Sequence, residues 1–290
     1  MDNILMLRQD LKEKKYVHGG YHHFKVSDPK PRDIHKASVR DRLLHHAIYR
    51  ILYQYFDSKF IYDSYSCRIG KGTHKAMDRF RSFAAKVSCN HTRTVWVLKC
   101  DIKKFFASID QEILLEILQK RIPDPDTLWL LKQVISSFCA IRSNGSIGLP
   151  LGNLTSQLLV NIYMNEFDQY MKRVLKAKYY IRYADDFVIL SYDKKELEQV
   201  LEKISIFLQE DLKLQLHPDK VYIKTVASGI DILGWVHFAD HRVLRTTTKK
   251  RMFRRLQERK GTEGEEATKE SYTGMLGWGN GRKLMQKIDK

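Results

Sequence analysis

Cysteine is scarce and unpaired in this sequence: four residues in 290, Cys67, Cys89, Cys100 and Cys139, with no Cys-x-x-Cys spacing. That pattern argues against a zinc site or a disulfide framework and suits reduced thiols in a cytosolic protein. No apolar run approaches the ~20 residues that cross a bilayer. The first residues, Met1-Asp2-Asn3-Ile4-Leu5, lack the basic region and apolar core of a secretory signal. A cytoplasmic protein with no membrane partner is therefore expected. Gly70-Lys71-Gly72 lacks the Gly-x-x-x-x-Gly-Lys spacing of a phosphate-cradling loop, and no internal repeat is apparent. Acidic residues are in deficit, with Asp+Glu 34 against Lys+Arg 51 and a formal net charge of +17. Such an excess describes partners, nucleic acid first and an anionic membrane surface second.

What is present suffices for a substantial core. Hydrophobic residues make up 43% of the chain, enough for one or two domains. Residues 1–40 read as basic and turn-rich, broken at Gly19, Gly20, Pro29 and Pro31. From Asp41 to Phe56, Leu43, Leu44, Ala47, Ile48, Ile51, Leu52 and Tyr55 form a helical stripe, with His45 and His46 as packed or polar helix residues beside it. Residues 94–238 alternate strand and helix patterns, the sign of a mixed α/β layer. Leu197, Val200, Leu201, Ile204, Phe207 and Leu208 give a helix that packs back on a sheet. Beyond Thr246 the chain turns strongly basic. Lys249, Lys250, Arg251, Arg254 and Arg255 crowd one short helical stretch, which is either a solvated charged helix or a phosphate-contacting one. A flexible Gly- and Glu-rich loop over 260–270 and a last helical element over 271–290 complete the expectation.

Two acidic positions carry the chemistry. Tyr180–Leu190 is a pair of apolar runs around Ala184-Asp185-Asp186, read as a hairpin with the carboxylates at its tip. Adjacent carboxylates repel unless a cation neutralises them, and hard oxygen ligands suit Mg²⁺. An acidic turn is the plain alternative, since Asp favours turns for local hydrogen bonding. Thr94–Asp101 is a second apolar run ending in a carboxylate, followed by a helix with Ile113, Leu114, Ile117 and Leu118 at helical spacing. Asp110 precedes that helix as its cap. Asp101 ends a strand, and carboxylates from two strand ends are what a two-metal phosphoryl-transfer site needs, with ions roughly 3.5–4 Å apart.

"KCDIKKFFASID" around Asp101 and "YADD" around Asp185 and Asp186 resemble the metal-binding motifs of reverse transcriptases. "GLPLGNLTSQ" over 148–157 resembles the segment beneath the incoming nucleotide and template base. Blocks at 31–52, 62–80 and 216–236 follow in the same order. Most relatives carry Gln-Gly where this chain has Leu151-Gly152, and Ser-Pro where it has Ser156-Gln157. In both places it is similar to the reverse transcriptases of diversity-generating retroelements, although Ala184 stands where many of those have Met.

The resemblance implies an α+β right-hand polymerase: N-terminal region and fingers over 1–93, palm with catalytic site over 94–240 (its 120–165 helices shared with the fingers), and a small basic helical thumb over 241–290. It implies two Mg²⁺ ions, with Mn²⁺ as an admissible substitute, bridged by Asp101 and Asp185. Asp186 either ligates or orients from behind, and the Ile102 carbonyl completes one sphere. Phe106 becomes the steric gate against the ribose 2′-hydroxyl, with Phe105 packed inward because neighbours in an extended segment point oppositely. Lys30 and Arg32 match the family's basic pair for triphosphate, with Arg68 and Lys71 in the next block. Lys220 in "HPDK" matches a lysine proposed to protonate pyrophosphate. Leu151, Gly152 and Gln157 are the expected determinants of adenine-directed infidelity, and Lys249, Lys250, Arg251, Arg254 and Arg255 of duplex grip. Partners would be template RNA, a DNA primer or cDNA, deoxynucleoside triphosphates and a small basic ring-forming accessory protein, in a prokaryotic or phage setting. An RNase H, endonuclease or large intron-binding domain is not expected in this length, and absence of a Val-Thr-Gly triplet argues against a retron enzyme. Competing readings are a group II-like, CRISPR-associated or phage-defence reverse transcriptase, and a non-catalytic RNA-binding protein on the same scaffold.

Overall fold

Alternation along one short strand organises the molecule. In the computed structural model, which describes residues 2–27, 31–140 and 146–288, Val97 and Lys99 face one side of the central sheet while Leu98 and Cys100 face the other. The elements run α1 (Asp2–Lys12), β1 (Tyr21–Val26), β2 (Arg32–Ala37), α2 (Val39–Asp57), α3 (Thr73–Val87), β3 (Trp96–Asp101), α4 (Gln111–Gln119) and α5 (Pro125–Ser136). Then follow α6 (Leu154–Gln169), β4 (Tyr180–Tyr183), β5 (Asp186–Ser191), α7 (Lys194–Glu210), β6 (Tyr222–Thr225), β7 (Ile230–Ile232), β8 (Trp235–His237) and β9 (Arg242–Leu244). The C-terminal helices are α8 (Thr246–Arg259), α9 (Glu265–Leu276) and α10 (Arg282–Ile288).

The central sheet has the order β4-β5-β3-β6, with every pairing antiparallel. β1 and β2 form a separate hairpin, and β7-β8-β9 a small meander. Leu98, Cys100, Phe187 and Ile189 turn into the largest core, against α2, α4, α6 and α7. Val97, Ile181, Val188 and Leu190 turn into a second core against Phe80, Phe83 and Ala84 of α3. The largest core draws on Leu44 and Leu52 as well as on Leu98 and Leu158.

The third core joins the C-terminal helices through Met252, Leu276 and Ile288 to Trp235, Leu244 and Met77 of α3. His74 of α3 stacks on Trp278 at 3.7 Å between ring centroids, and Arg242 reaches Asp78 at 3.2 Å. At its start, α3 touches the β4–β5 hairpin, Thr73 Oγ1 donating to the Tyr183 hydroxyl at 3.2 Å.

Several expectations change. Residues 1–40 hold a helix and a two-stranded hairpin where turns were read, because Gly19 and Gly20 lie before β1 rather than within an element. The 260–270 loop is instead largely helix α9, entered by a short turn at Gly261–Gly264. On α2 the buried face is Leu44, His45, Ile48, Leu52, Tyr53 and Phe56, leaving Leu43, Ile51 and Tyr55 exposed. The stripe was misplaced by one helical row, since His45 is buried against His18 with Nε2–Nε2 at 3.1 Å. The stripes of α4 and α7 fall as expected, with Leu114, Ile117, Leu118, Leu197, Ile204 and Leu208 buried. Among the described residues no helix is long and apolar enough to cross a membrane.

Candidate active site

The β4–β5 hairpin closes with Tyr183 paired to Asp186, leaving Ala184 and Asp185 as a two-residue tip. Ala184 adopts φ 56°, the left-handed region that such tips require and that glycine fills more freely. For alanine this costs about 1–2 kcal/mol. Arg182 offsets it from beneath. Its guanidinium is wholly buried and all five N–H donors are used: Asp168 takes two at 2.8 and 2.7 Å, Asn161 Oδ1 one at 3.2 Å, Ser64 Oγ one at 3.1 Å and the Ala184 carbonyl one at 3.1 Å. A buried fork this fully satisfied fixes the tip to α6.

Asp101 sits directly opposite Asp186 across the β3–β5 ladder, and directly opposed residues share a face. The Ile102 N–H donates to the Asp185 carbonyl at 3.1 Å, tying the end of β3 to the tip. Three carboxylates are thus gathered at one sheet end. Burial and the Asp101 charge push the Asp185 carboxyl above its usual range. Burial pushes Asp186 up to about 6 despite the opposing Lys99 ammonium. That ammonium is itself buried and lies 2.9 Å from Asp186 Oδ1. The two form a charge-assisted contact in the interior. Lys220 Nζ donates to Asp101 Oδ1 at 2.8 Å, placed there by the bond from the His217 N–H to the Asp101 carbonyl at 2.7 Å. Asp110 caps α4 as expected, accepting from the N–H groups of Glu112 and Ile113.

The remaining residues divide. Phe105 is buried, as expected, and Phe106 is half-buried, but the segment is a 3₁₀ turn after left-handed Lys104 rather than an extended one. The Phe106 carbonyl accepts from the Leu149 N–H at 2.8 Å, bringing the gate position beside the 148–152 segment. The Leu151 carbonyl accepts from His35 of β2, and Asn153 bridges to the His35 carbonyl and the Ala37 N–H. Gly152, at φ 109°, lets β2 approach: a Cβ there would stand 2.8 Å from Ile34 Cγ2. Its close partner is therefore the protein's own hairpin. Gln157 is half-buried in the first turn of α6. Arg32 is exposed at the start of β2, and its charge is felt at Asp185, pulling that carboxyl downward.

Arg68 is a correction. Its guanidinium folds inward onto Asp57 and the carbonyls of Ile61 and Ser64, so its donors are spent within the protein instead of facing a triphosphate. Lys71 bonds the Tyr62 carbonyl and lies 3.4 Å above that ring. Lys30 falls outside the described residues. On α8, Lys249, Lys250 and Arg254 are exposed while Arg251 and Arg255 are half-buried around Met252, and Arg254 and Arg255 both approach Glu258.

Carboxylate oxygens gathered at one sheet end fit a hard divalent cation such as Mg²⁺. Among the described residues no three His, Cys, Asp or Glu side chains already enclose an ion position. The ammonium groups of Lys99 and Lys220 supply the neutralising charge there.

A model of the reverse transcriptase (RNA-dependent DNA polymerase) family matches residues 25–237. The chain belongs to that family. It is 28% identical over 258 residues to Protein YkfC of Escherichia coli, covering 77% of this chain and 66% of that one. It is 30% identical over 125 residues to the retron Ec83 reverse transcriptase of Escherichia coli, covering 41% and 39%. That likeness covers less than half of either chain, and the Val-Thr-Gly triplet is missing from this one. The group II intron-encoded protein LtrA of Lactococcus lactis is 23% identical, covering 78% and 47%. The chain therefore spans between about two fifths and two thirds of these relatives' lengths. An apo telomerase from Candida tropicalis superposes with a TM-score of 0.61 at 11% identity, covering 83% of this chain and 52% of that one. The fold is that of a right-hand polymerase, mixed α+β, with the carboxylates at the hairpin.

Proposed function

We propose that the protein is an RNA-directed DNA polymerase acting through Asp101, Asp185 and Asp186. The observation that carries this is the placement of Asp101 opposite Asp186 with Asp185 at the adjoining tip. Two Mg²⁺ ions would activate the primer 3′-hydroxyl and stabilise the leaving pyrophosphate. The residues' own work is positioning, the larger part of phosphoryl-transfer catalysis. Arg182 holds the tip, Ile102 clasps it and Lys220 stands ready with a proton beside Asp101. Arg32, on the hairpin docked to Leu151 and Asn153, is the described cation best placed for triphosphate. Phe106, against that same segment, would exclude the ribose 2′-hydroxyl. In this reading residues 1–93 act as fingers, 94–240 as palm and 241–290 as thumb, with the exposed lysines of α8 gripping duplex.

The finer proposal is a diversity-generating enzyme with errors concentrated opposite template adenines. It rests on Leu151 where a polar Gln is usual; loss of one such contact weakens base discrimination by order-of-kcal/mol amounts. Its accessory ring protein, itself basic, would join a chain of charge +17 through shared RNA. Group II and retron affinities are favoured by the relatives above, and the error spectrum separates the readings. The test is Mg²⁺-dependent primer extension on a defined RNA, with deoxy- and ribonucleotides compared and products sequenced. DNA product abolished by Asp185→Ala supports the polymerase. Errors at adenines that fall in Leu151→Gln support the diversity-generating type, and uniform fidelity in both proteins counts against it. RNA binding without product, even with native RNA and accessory protein, would leave a non-catalytic binder.

A further inference from the structure

At the opposite end of the sheet from the carboxylates, β3 begins at Trp96, β5 ends at Ser191 opposite it, and β4 begins at Tyr180. Five residues along β3 separate this end from Asp101, about 17 Å. Two cavities open here and share Arg93. One, of about 440 Å³, is lined on its polar side by Ser88, His91, Thr92, Arg93, Thr94 and Thr225, with no carboxylate among its described lining residues. The other, of about 290 Å³, is lined by Lys86, Arg93, Lys176, Lys178, Tyr179 and Tyr192 among others, with Glu196 as its acidic residue. Glu196 is engaged by the Ser191 hydroxyl.

Cations and rings alternate across this surface. Tyr192 is 65% exposed, with the Arg93 guanidinium 5.4 Å from its ring centroid. Lys178 Nζ stands 5.4 Å from the half-buried Tyr179 ring. A duplex presents phosphates and would leave the rings idle, whereas single strands offer a phosphate track and unstacked bases together. We propose that this double cavity binds a single-stranded RNA segment lying outside the catalytic cleft, with Tyr192 stacking a base and Arg93, Lys176 and Lys178 following its phosphates. The inference goes beyond polymerisation and rests on that reading only for the choice of RNA as the polyanion.

Photo-crosslinking of the intact protein to a thiouridine-bearing single-stranded RNA, followed by peptide mapping, tests it without any substitution. Crosslinks at Tyr179 and Tyr192 are expected. Tyr192→Ala should weaken binding about tenfold. The combined Arg93→Gln, Lys176→Gln, Lys178→Gln variant should reduce the slope of log affinity against log salt by about 2. Extension of a primer-template too short to reach the cavities should be unchanged in both variants. Crosslinks confined to the surroundings of Asp101 and Asp185, or equal competition by polyglutamate, would overturn the proposal. Crosslinks at Tyr192 in a protein that extends no primer would keep this inference and remove the polymerase reading; extension without them would do the reverse.

Discussion

Removing Asp168 should do more harm than removing Asp101, Asp185 or Asp186, measured as stability. Asp168 and Arg182 are both fully buried, and two of Arg182's five hydrogen bonds end on that carboxylate. Asp168→Ala leaves a guanidinium in the core without its counter-charge, a loss of about 3–5 kcal/mol. For a chain of this size that corresponds to a fall in melting temperature on the order of 10 °C. Replacing both partners with apolar residues, Asp168→Leu with Arg182→Met, removes the stranded charge and should recover most of the loss. Activity should not return with it. The Ala184 carbonyl would still lack its donor, and the left-handed tip carrying Asp185 would lose its anchor. Thermal unfolding by circular dichroism and primer extension per folded molecule read the two effects separately. A double variant with full stability and full activity would show that Arg182 is only packing. A single variant losing less than about 1 kcal/mol would refute the burial argument itself.

Three further outcomes are expected. His237 is buried against Phe80 with Nε2 unpartnered among the described residues, and burial lowers its pKa to about 4. Its folded value lies below its unfolded one, so stability is whole above about pH 6.5 and falls as pH drops toward 4, by about 3 kcal/mol. Denaturant midpoints across that range should show a shallower decline in His237→Gln. Gly152→Ala forces a Cβ to 2.8 Å from Ile34 Cγ2 at φ 109°, and should destabilise by about 1–2 kcal/mol. Adding Ile34→Ala should relieve the clash but leave the backbone cost, which a urea titration resolves. Asp110→Ala removes a helix cap worth about 1 kcal/mol and should leave primer extension per folded molecule intact.

The hairpin, Asp101 and the α4 cap were legible because each is local: alternation, a strand end and a capping residue are written within a few positions. Arg182 was not, although it lies inside the most conspicuous segment of the chain. In sequence it is one basic residue among 51 Lys and Arg, and only its partners at 64, 161, 168 and 184 mark it as buried. A charged residue two before the acidic tip, inside an otherwise apolar run, was the available signal. Lys99 escaped for the same reason. Arg68 erred in the opposite direction, since Asp57, which captures it, belongs to the end of another helix. Glycine at 152 was read as room for a ligand when it makes room for Ile34. Periodicity located α2 but not its face, because His18 arrives from a distant turn to bury His45.

Helix α3 starts beside the hairpin tip, and its next turn is built into the C-terminal core. Thr73 touches Tyr183, the neighbour of Ala184, while Met77 fills the cluster that holds Met252, Leu276 and Ile288 together. It is a strut shared by both. The C-terminal helices cannot shift without unstacking His74 from Trp278 and pulling on that strut. A substitution that loosens the C-terminal cluster would thus be felt at the carboxylate hairpin, through a helix that neither part owns alone.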